Sequence, residues 1–99
     1  MKGGRVKVLI TYDVATPDAV GVRRLRRVAR ACQDYGQRVQ KSVFECSVGD
    51  KEWALLRDRL FGEFDPKQDS LRFYFLDQDV QVEHHGTHEP TDLEGVLMI

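Results

Sequence analysis

The stretch of residues 5–13, RVKVLITYD, constrains the fold more than any other part of the chain. Its alternating positions carry an apolar series, Val6, Val8, Ile10 and Tyr12. Leu9 lies among the opposite set, so the strand is apolar on most of both sides, which is typical of the centre of a sheet. With only 99 residues available, we predict a single domain over 1–99, with a core over 5–77 and a C-terminal extension over 78–99.

A helix follows this strand. Thr16 can cap it and Pro17 suits its first position, so we predict a helix over about 18–35 that Gly36 ends. Its predicted core stripe consists of Val22, Leu25, Val28, Ala29 and Cys32.

Residues 38–48, RVQKSVFECSV, have an extended pattern whose apolar parity changes near Lys41. Either a bulge or two short strands meeting at a tight bend would explain this change. The segment lacks the glycine–aromatic signature of RNA-recognition modules, so its pattern favours a core position for Phe44.

A second helix and further strands complete the pattern. Asp50 can cap a helix over about 51–64, and residues 70–77 alternate as a strand. The apolar stripe of this helix is Trp53, Leu56, Leu60 and Phe64. Residues 80–83 can add a short strand before a polar stretch over 84–95.

The order strand, helix, extended segment, helix, strand predicts an α/β (α+β) ferredoxin-like sandwich, with both helices on one face of an antiparallel sheet. The apolar end Val96–Ile99 follows a polar spacer. It suggests pairing with a second subunit, because an apolar edge must be covered. The alternative is a tail that packs on its own sheet or frays.

Basic residues are concentrated in one segment, although the net charge is only −1. Between positions 23 and 41 a single acid, Asp34, opposes the basic residues Arg23, Arg24, Arg26, Arg27, Arg30, Arg38 and Lys41. Four of these arginines form the helix stripe opposite the core. A solvated helix face usually mixes both signs, so the pattern favours phosphate or nucleic-acid contact over that alternative.

Asp13 ends the first strand and is the leading candidate for metal chemistry. One carboxylate holds Mg²⁺ poorly, since the ion takes several oxygen ligands, but a two-fold homodimer would supply a second Asp13. Two facing carboxylates could hold one ion that polarises a phosphodiester and activates water. The alternative is an aspartate that only caps a turn.

Other features limit the possible sites and locations. His84, His85 and His88 have a spacing that can bind a transition metal, but their polar context favours a surface loop. Cys32 and Cys46 share no metal-binding spacing and are expected as reduced, buried thiols. No apolar run approaches the ~18 residues of a membrane span, so we expect a cytoplasmic protein without membrane partners.

Several short motifs occur in a specific order along the chain. They are Tyr12-Asp13-Val14, the arginine-rich run over 23–29, YGQRVQ over 35–40, SVFE over 42–45 and DSLRFY over 69–74. Their order and spacing resemble the CRISPR-associated protein two family, the smaller subunit of the spacer-acquisition complex. The resemblance extends up to about residue 77.

The resemblance implies a ferredoxin-like homodimer whose strand-end aspartates face each other and whose C-terminal strand crosses to the partner's sheet. Family members are described as metal-dependent nucleases acting on RNA or double-stranded DNA, and as a bridge between copies of the CRISPR integrase. Asp13 takes the metal position. The positions implicated in activity or substrate contact correspond to Tyr12, Arg24, Arg26, Arg38 and Phe44.

The leading hypothesis is therefore a CRISPR adaptation protein that is a metal-dependent endonuclease, an endoribonuclease or DNase using Mg²⁺ or another divalent cation. Asp13 and Tyr12 are its expected catalytic residues. Its expected nucleic-acid contacts are Arg24, Arg26, Arg27, Arg38 and Phe44. The alternative is a non-catalytic adaptor that binds DNA and bridges integrase subunits. A small-molecule-binding regulatory domain is compatible with the fold alone.

Overall fold

Five strands and two helices make up the part of the chain that the structure, a computed structural model, describes, namely residues 5–76 and 81–87. In chain order the elements are β1 (Arg5–Asp13), α1 (Ala19–Tyr35), β2 (Gly36–Gln40), β3 (Val43–Gly49), α2 (Asp50–Glu63), β4 (Ser70–Phe75) and β5 (Gln81–Gly86).

The strands form one sheet in the order β2-β3-β1-β4-β5, and every neighbouring pair is antiparallel. The strand over 5–13 is central, as its two-sided apolar pattern predicts. Both helices pack on the same face through a shared core, which confirms the ferredoxin-like prediction. The ferredoxin-like sheet consists of β2, β3, β1 and β4, and β5 is a further strand paired beyond β4.

The two faces of the sheet differ in what covers them. The helix-covered face contains the main core, whose fully buried members include Val8, Ile10, Val28, Phe44, Cys46, Leu56, Leu60, Leu71 and Phe73. On the opposite face, Leu9, Val43 and Tyr74 form a separate small cluster. Side chains of alternate residues therefore serve different layers of the molecule.

The starts of both helices differ from the sequence prediction. Asp18, not Thr16, caps α1, because its carboxylate accepts a hydrogen bond from the backbone N–H of Gly21 at 3.0 Å. α2 begins at Asp50 after Gly49, and the Glu52 carboxylate accepts from the Gly49 N–H at 2.9 Å. A carboxylate near a helix start can satisfy an N–H group from more than one position, which the local sequence does not distinguish.

The change of parity within 38–48 has a structural cause. β2 and β3 are two short strands that meet at a turn over Lys41 and Ser42, and their register also shifts between Arg38 and Gln40. Of the two explanations that the sequence left open, the structure shows two short strands meeting at a tight bend, together with an irregularity within β2. Val22 departs from its predicted core position, since 37% of it is exposed.

The predicted polar loop from residue 84 is wrong in its first part. β5 continues through His84 and His85 to Gly86, pairing with β4. His88 and the apolar end Val96–Ile99 lie outside the described residues. Among the residues that the structure describes, neither helix has the length and apolar character needed to cross a membrane.

Cys32 and Cys46 are both buried and form no disulfide, in agreement with the prediction. Burial raises the pKa of the Cys46 thiol to about 11, with a smaller contribution from Glu45. Burial also raises the pKa of Cys32. Both sulfurs therefore stay protonated at neutral pH and serve as small apolar core groups.

Candidate nucleic-acid interface

Asp13 stands exposed at the carboxyl end of the central strand. On one side it is paired with Ser70 of β4, whereas the β3 ladder ends at the pair Thr11 and Val43. β1 therefore extends past β3, and its last residues border a gap next to the β2–β3 turn. This position gives the Asp13 carboxylate access to solvent beside a concave surface.

That concave surface is a cleft of about 480 Å³ between α1, the end of β1 and the β2–β3 turn. Its lining residues are Tyr12, Asp13, Val14, Leu25, Arg26, Ala29, Arg38, Lys41 and Ser42. Three cations from three different elements, Arg26, Arg38 and Lys41, lie beside an apolar wall. Ligand clefts typically have volumes of about 300–1,000 Å³, and such mixed walls suit a nucleotide.

Arg38 is held over an aromatic layer. Its guanidinium carbon lies 5.0 Å from the centroid of the Phe44 ring, in a cation–π contact. The Tyr12 ring stacks near Phe44 at 6.2 Å, with an interplanar angle of 22°. Phe44 is completely buried, so its ring contacts the Arg38 guanidinium but is not exposed to a ligand.

The Tyr12 hydroxyl faces the β2–β3 turn, where it donates to the Lys41 carbonyl at 3.5 Å. Burial raises the pKa of Tyr12, with Cys32 adding to the effect and Arg38 partly offsetting it. The hydroxyl therefore stays protonated at neutral pH. In this geometry Tyr12 can position the turn and donate a hydrogen bond, but it is poorly suited to accept a proton.

Arg24 has a different environment from the cleft cations. Its Nε donates to Asp69 Oδ2 at 2.6 Å and one terminal nitrogen donates to Oδ1 at 3.1 Å, which is a two-point ion pair. That terminal nitrogen also donates to the Ala15 carbonyl. The Arg24 side chain is only 12% exposed and Asp69 is fully buried. Arg24 therefore connects α1 to the segment that follows β1 and to the residue that precedes β4.

Asp69 is the centre of this connection. Besides Arg24, its carboxylate accepts from the backbone N–H groups of Ala15 and Asp65, at 3.0 and 2.8 Å. Burial acts to raise the pKa of Asp69, but the hydrogen bonds and the charge of Arg24 outweigh it and hold the pKa below its ordinary value. The carboxylate is therefore ionised at neutral pH.

The remaining predicted contacts are distributed unequally. Tyr12, Asp13, Arg26 and Arg38 come together at the cleft. Arg27 is exposed and lies 3.8 Å from Glu63 of α2, outside the residues that line the cleft. The arginine stripe on α1 is thus divided: part of it borders the cleft and part contacts the second helix.

Comparison with known proteins assigns the chain to a family. The family model described as CRISPR associated protein Cas2 matches residues 6–83. A CRISPR-associated endoribonuclease Cas2 from Chlorobaculum tepidum is 60% identical over 94 residues, which cover 93% of this chain and 98% of that protein. The chain belongs to the Cas2 family.

Two further Cas2 proteins support the same assignment. A CRISPR-associated endonuclease Cas2 from Halalkalibacterium halodurans is 50% identical, covering 92% of this chain and 97% of that protein. A crystal structure of Streptococcus pyogenes Cas2 superposes with a TM-score of 0.66 at 53% identity, covering 74% of this chain and 88% of that one. Both the sequence and the fold are therefore those of Cas2 proteins.

Sequence reasoning about this Cas2-family chain placed Lys41 in the basic segment but not among the expected contacts, and it missed Ser42 as a cleft residue and Asp69 as the partner of Arg24. The parity change near Lys41 was a usable signal, since a tight bend beside a strand end exposes its side chains. Asp69 had no comparable signal. Its role depends on a contact 45 positions away in the sequence, which local patterns do not reveal.

A divalent cation at this site would have few protein ligands. Among residues 5–76 and 81–87, no three or more histidines, cysteines, aspartates or glutamates cluster as metal ligands. Mg²⁺ commonly uses one or two protein carboxylates and completes its coordination with water and substrate phosphate oxygens. Asp13 is compatible with that kind of site, in which protein ligands are few.

Proposed function

We propose that this protein is a metal-dependent endonuclease of CRISPR adaptation that binds nucleic acid as a homodimer in the cytoplasm. The observation that carries the proposal is the exposed Asp13 carboxylate bordering a cleft with three cations. The names of the relatives, endoribonuclease and endonuclease, support the same class of reaction. The substrate is RNA or DNA.

The cleft supplies the binding part of this function. Arg26, Arg38 and Lys41 contact phosphate oxygens, and the Leu25 and Ala29 wall accepts the apolar face of a base or sugar. Arg38 is pre-positioned by Phe44, so it loses little side-chain freedom on binding. These contacts hold the phosphodiester next to Asp13, which fixes where cleavage occurs.

The metal part requires two copies of the chain. In the proposed homodimer the two Asp13 carboxylates would be the protein groups that hold a divalent cation. When bound there, a divalent cation would supply polarisation of the scissile phosphate and a lowered pKa of its bound water. Tyr12 keeps the β2–β3 turn, and with it Lys41, in place beside the phosphate.

A cleavage assay with one substitution tests this proposal. Labelled single-stranded RNA and double-stranded DNA are incubated with wild type or Asp13→Asn, each with Mg²⁺ and with EDTA. We expect cleavage of at least one substrate by wild type with Mg²⁺, and a fall to the EDTA background in the variant. Asp58→Asn removes another exposed carboxylate, on α2, and should cleave like wild type.

The outcomes separate the parts of the proposal. Equal cleavage by Asp13→Asn and wild type would exclude Asp13 as the metal-binding group. Sedimentation of both proteins checks that the substitution leaves the oligomeric state unchanged. A monomeric wild type that still cleaves would contradict the requirement for two copies.

The cationic cleft also favours a second function, since phosphate contacts hold nucleic acid whether or not it is cut. In this case the homodimer is a DNA-binding adaptor that bridges copies of the CRISPR integrase. Tight, salt-sensitive binding of duplex DNA without cleavage by wild type or Asp13→Asn would support the adaptor over the endonuclease.

A further inference from the structure

A hydrogen-bonded serine and histidine lie on the sheet face opposite the helices, at the same end as Asp13. Ser70 Oγ and His84 Nε2 are 3.0 Å apart. Asp13 is the cross-strand partner of Ser70 on β4, and His84 on β5 is opposite Arg72, two residues along β4 from Ser70. Because alternate residues share a face, Asp13, Ser70 and His84 project from the same side of three adjacent strands.

The pairing within the sheet places these three groups on successive strands, with Ser70 on β4 between Asp13 on β1 and His84 on β5. Directly opposed residues in antiparallel strands have Cβ atoms about 4.5–5.5 Å apart, and diagonal neighbours about 7–8 Å. Ser70 is thus the immediate cross-strand neighbour of Asp13, and its hydroxyl is hydrogen-bonded to the His84 ring. The charged groups that face His84 from the neighbouring strands are Arg72 and, one strand further, Asp13.

The adjacent histidine has a different role. His85 projects to the helix side, where its ring lies 4.8 Å from that of Phe61 and its Nε2 is 3.2 Å from Glu83. Glu83 in turn accepts from Arg57 of α2 at 2.7 Å. His85 therefore helps to connect β5 to α2. His84 is half-buried on the opposite face of the sheet, the face from which Asp13 also projects.

Phosphodiester hydrolysis needs a group that accepts a proton from the attacking water. An ionised carboxylate engaged with a cation is a weak base for this purpose, and the Tyr12 hydroxyl stays protonated. Imidazole is the side chain most often used as a general base near neutral pH. The proposed endonuclease site would therefore lack a suitable base if it ended at the cleft.

We propose that His84 is the general base of the proposed endonuclease site and that Ser70 relays the proton to it. The inference rests on the proposed function, since it assigns a role in the same reaction. Water oxygen bonds to phosphorus while its proton passes to Ser70 Oγ and the serine proton passes to His84 Nε2. The bond from phosphorus to the leaving oxygen breaks, and the leaving oxygen takes a proton from solvent. His84 then returns its proton to solvent.

The decisive experiment is chemical rescue. His84→Ala should lower Mg²⁺-dependent cleavage by about 10²-fold or more, the usual contribution of general acid–base catalysis. Added imidazole should restore part of that loss, which a merely structural role would not allow. His85→Ala is the matched control on the neighbouring position, and imidazole should not stimulate it. His84→Gln keeps a side chain of similar size and provides a second variant should the alanine fold poorly.

A second readout does not depend on cleavage. The ¹⁵N chemical shifts of the His84 ring should change in Ser70→Ala, because the hydrogen bond at Nε2 is lost, while those of His85 stay as in wild type. Unchanged His84 shifts would overturn the relay.

The outcomes also separate this inference from the proposed function. Cleavage that depends on Asp13 but is unaffected in His84→Ala would overturn the inference and leave the proposed endonuclease standing. Wild type that cleaves neither RNA nor DNA would overturn both.

Discussion

Two arginine sites on the same molecule show how differently one residue type can be used. Arg24 is almost enclosed, and its guanidinium makes two contacts with the fully buried Asp69. Arg26, two positions further along α1, is exposed at the cleft together with Arg38 and Lys41. In sequence, Arg24 and Arg26 belong to the same basic run.

The partners of a charged side chain, and not its presence in a motif, decide its role. The Arg24 guanidinium donates three of its five N–H groups within the protein and is only 12% exposed, so it offers little to a phosphate. An exposed guanidinium keeps its N–H groups available. Arg24 therefore stabilises the fold, and we propose that Arg26, Arg38 and Lys41 bind nucleic acid.

The largest expected effect is on stability. Asp69→Ala removes the partner of Arg24 and two acceptors of backbone N–H groups. Breaking a buried ion pair by removing one member costs about 3–5 kcal/mol of unfolding free energy. Denaturant unfolding should show this loss, whereas Arg26→Ala at the exposed site should change the unfolding free energy little. Equal losses for both variants would remove the distinction between the two sites.

The pH dependence of stability sharpens the same contrast. The pKa of folded Asp69 is below its ordinary value of 3.8, so the carboxylate stabilises the fold above that value and the stabilisation is lost as pH falls. Wild type should therefore lose unfolding free energy more steeply than Asp69→Asn between pH 7 and acid pH. Parallel curves for the two proteins would show that Asp69 titrates alike in the folded and unfolded chain.

The fold was largely predictable because its signals are local. The two-sided apolar pattern of 5–13 indicated the central strand, and the helix periodicities indicated which side of each helix faces the core. The caps were not predictable, since Thr16 and Asp18 are both good capping residues and only the path of the chain selects Asp18.

The candidate site was less predictable than the fold. Asp13 and Arg38 follow from strand ends and motifs, but the Arg24–Asp69 pair and the Ser70–His84 pair join residues distant in sequence. His84 was interpreted as part of a polar loop, because β5 is an edge strand whose polar residues carry little apolar alternation. Pairing with β4, which is a tertiary contact, gives the segment its structure.

The salt dependence of nucleic-acid binding should show which exposed cations contact phosphate. Arg26→Ala and Lys41→Ala should each reduce the slope of log affinity against log salt by about 0.7 to 0.9, the value of one lost phosphate contact. Titrations of single-stranded RNA and duplex DNA at several salt concentrations measure it. Arg30→Ala is the control, since Arg30 lies on the same helix but pairs with Asp34. A slope for Arg26→Ala equal to that of wild type would exclude this side of the cleft.

The smallest expected effect concerns the support of Arg38 by Phe44. Phe44→Leu keeps an apolar core residue but removes the aromatic face beneath the guanidinium. In a double-mutant cycle with Arg38→Ala, nucleic-acid affinity should show a coupling of about 0.5–1 kcal/mol, the usual size of an exposed cation–π contact.

The control is the pair of Arg57 over Phe61, at 4.9 Å, which lies outside the cleft lining. The cycle of Arg57→Ala with Phe61→Leu should show no coupling in binding. Zero coupling for Arg38 and Phe44 as well would mean that the buried ring contributes to folding only, and Arg38 would then act on phosphate without pre-positioning.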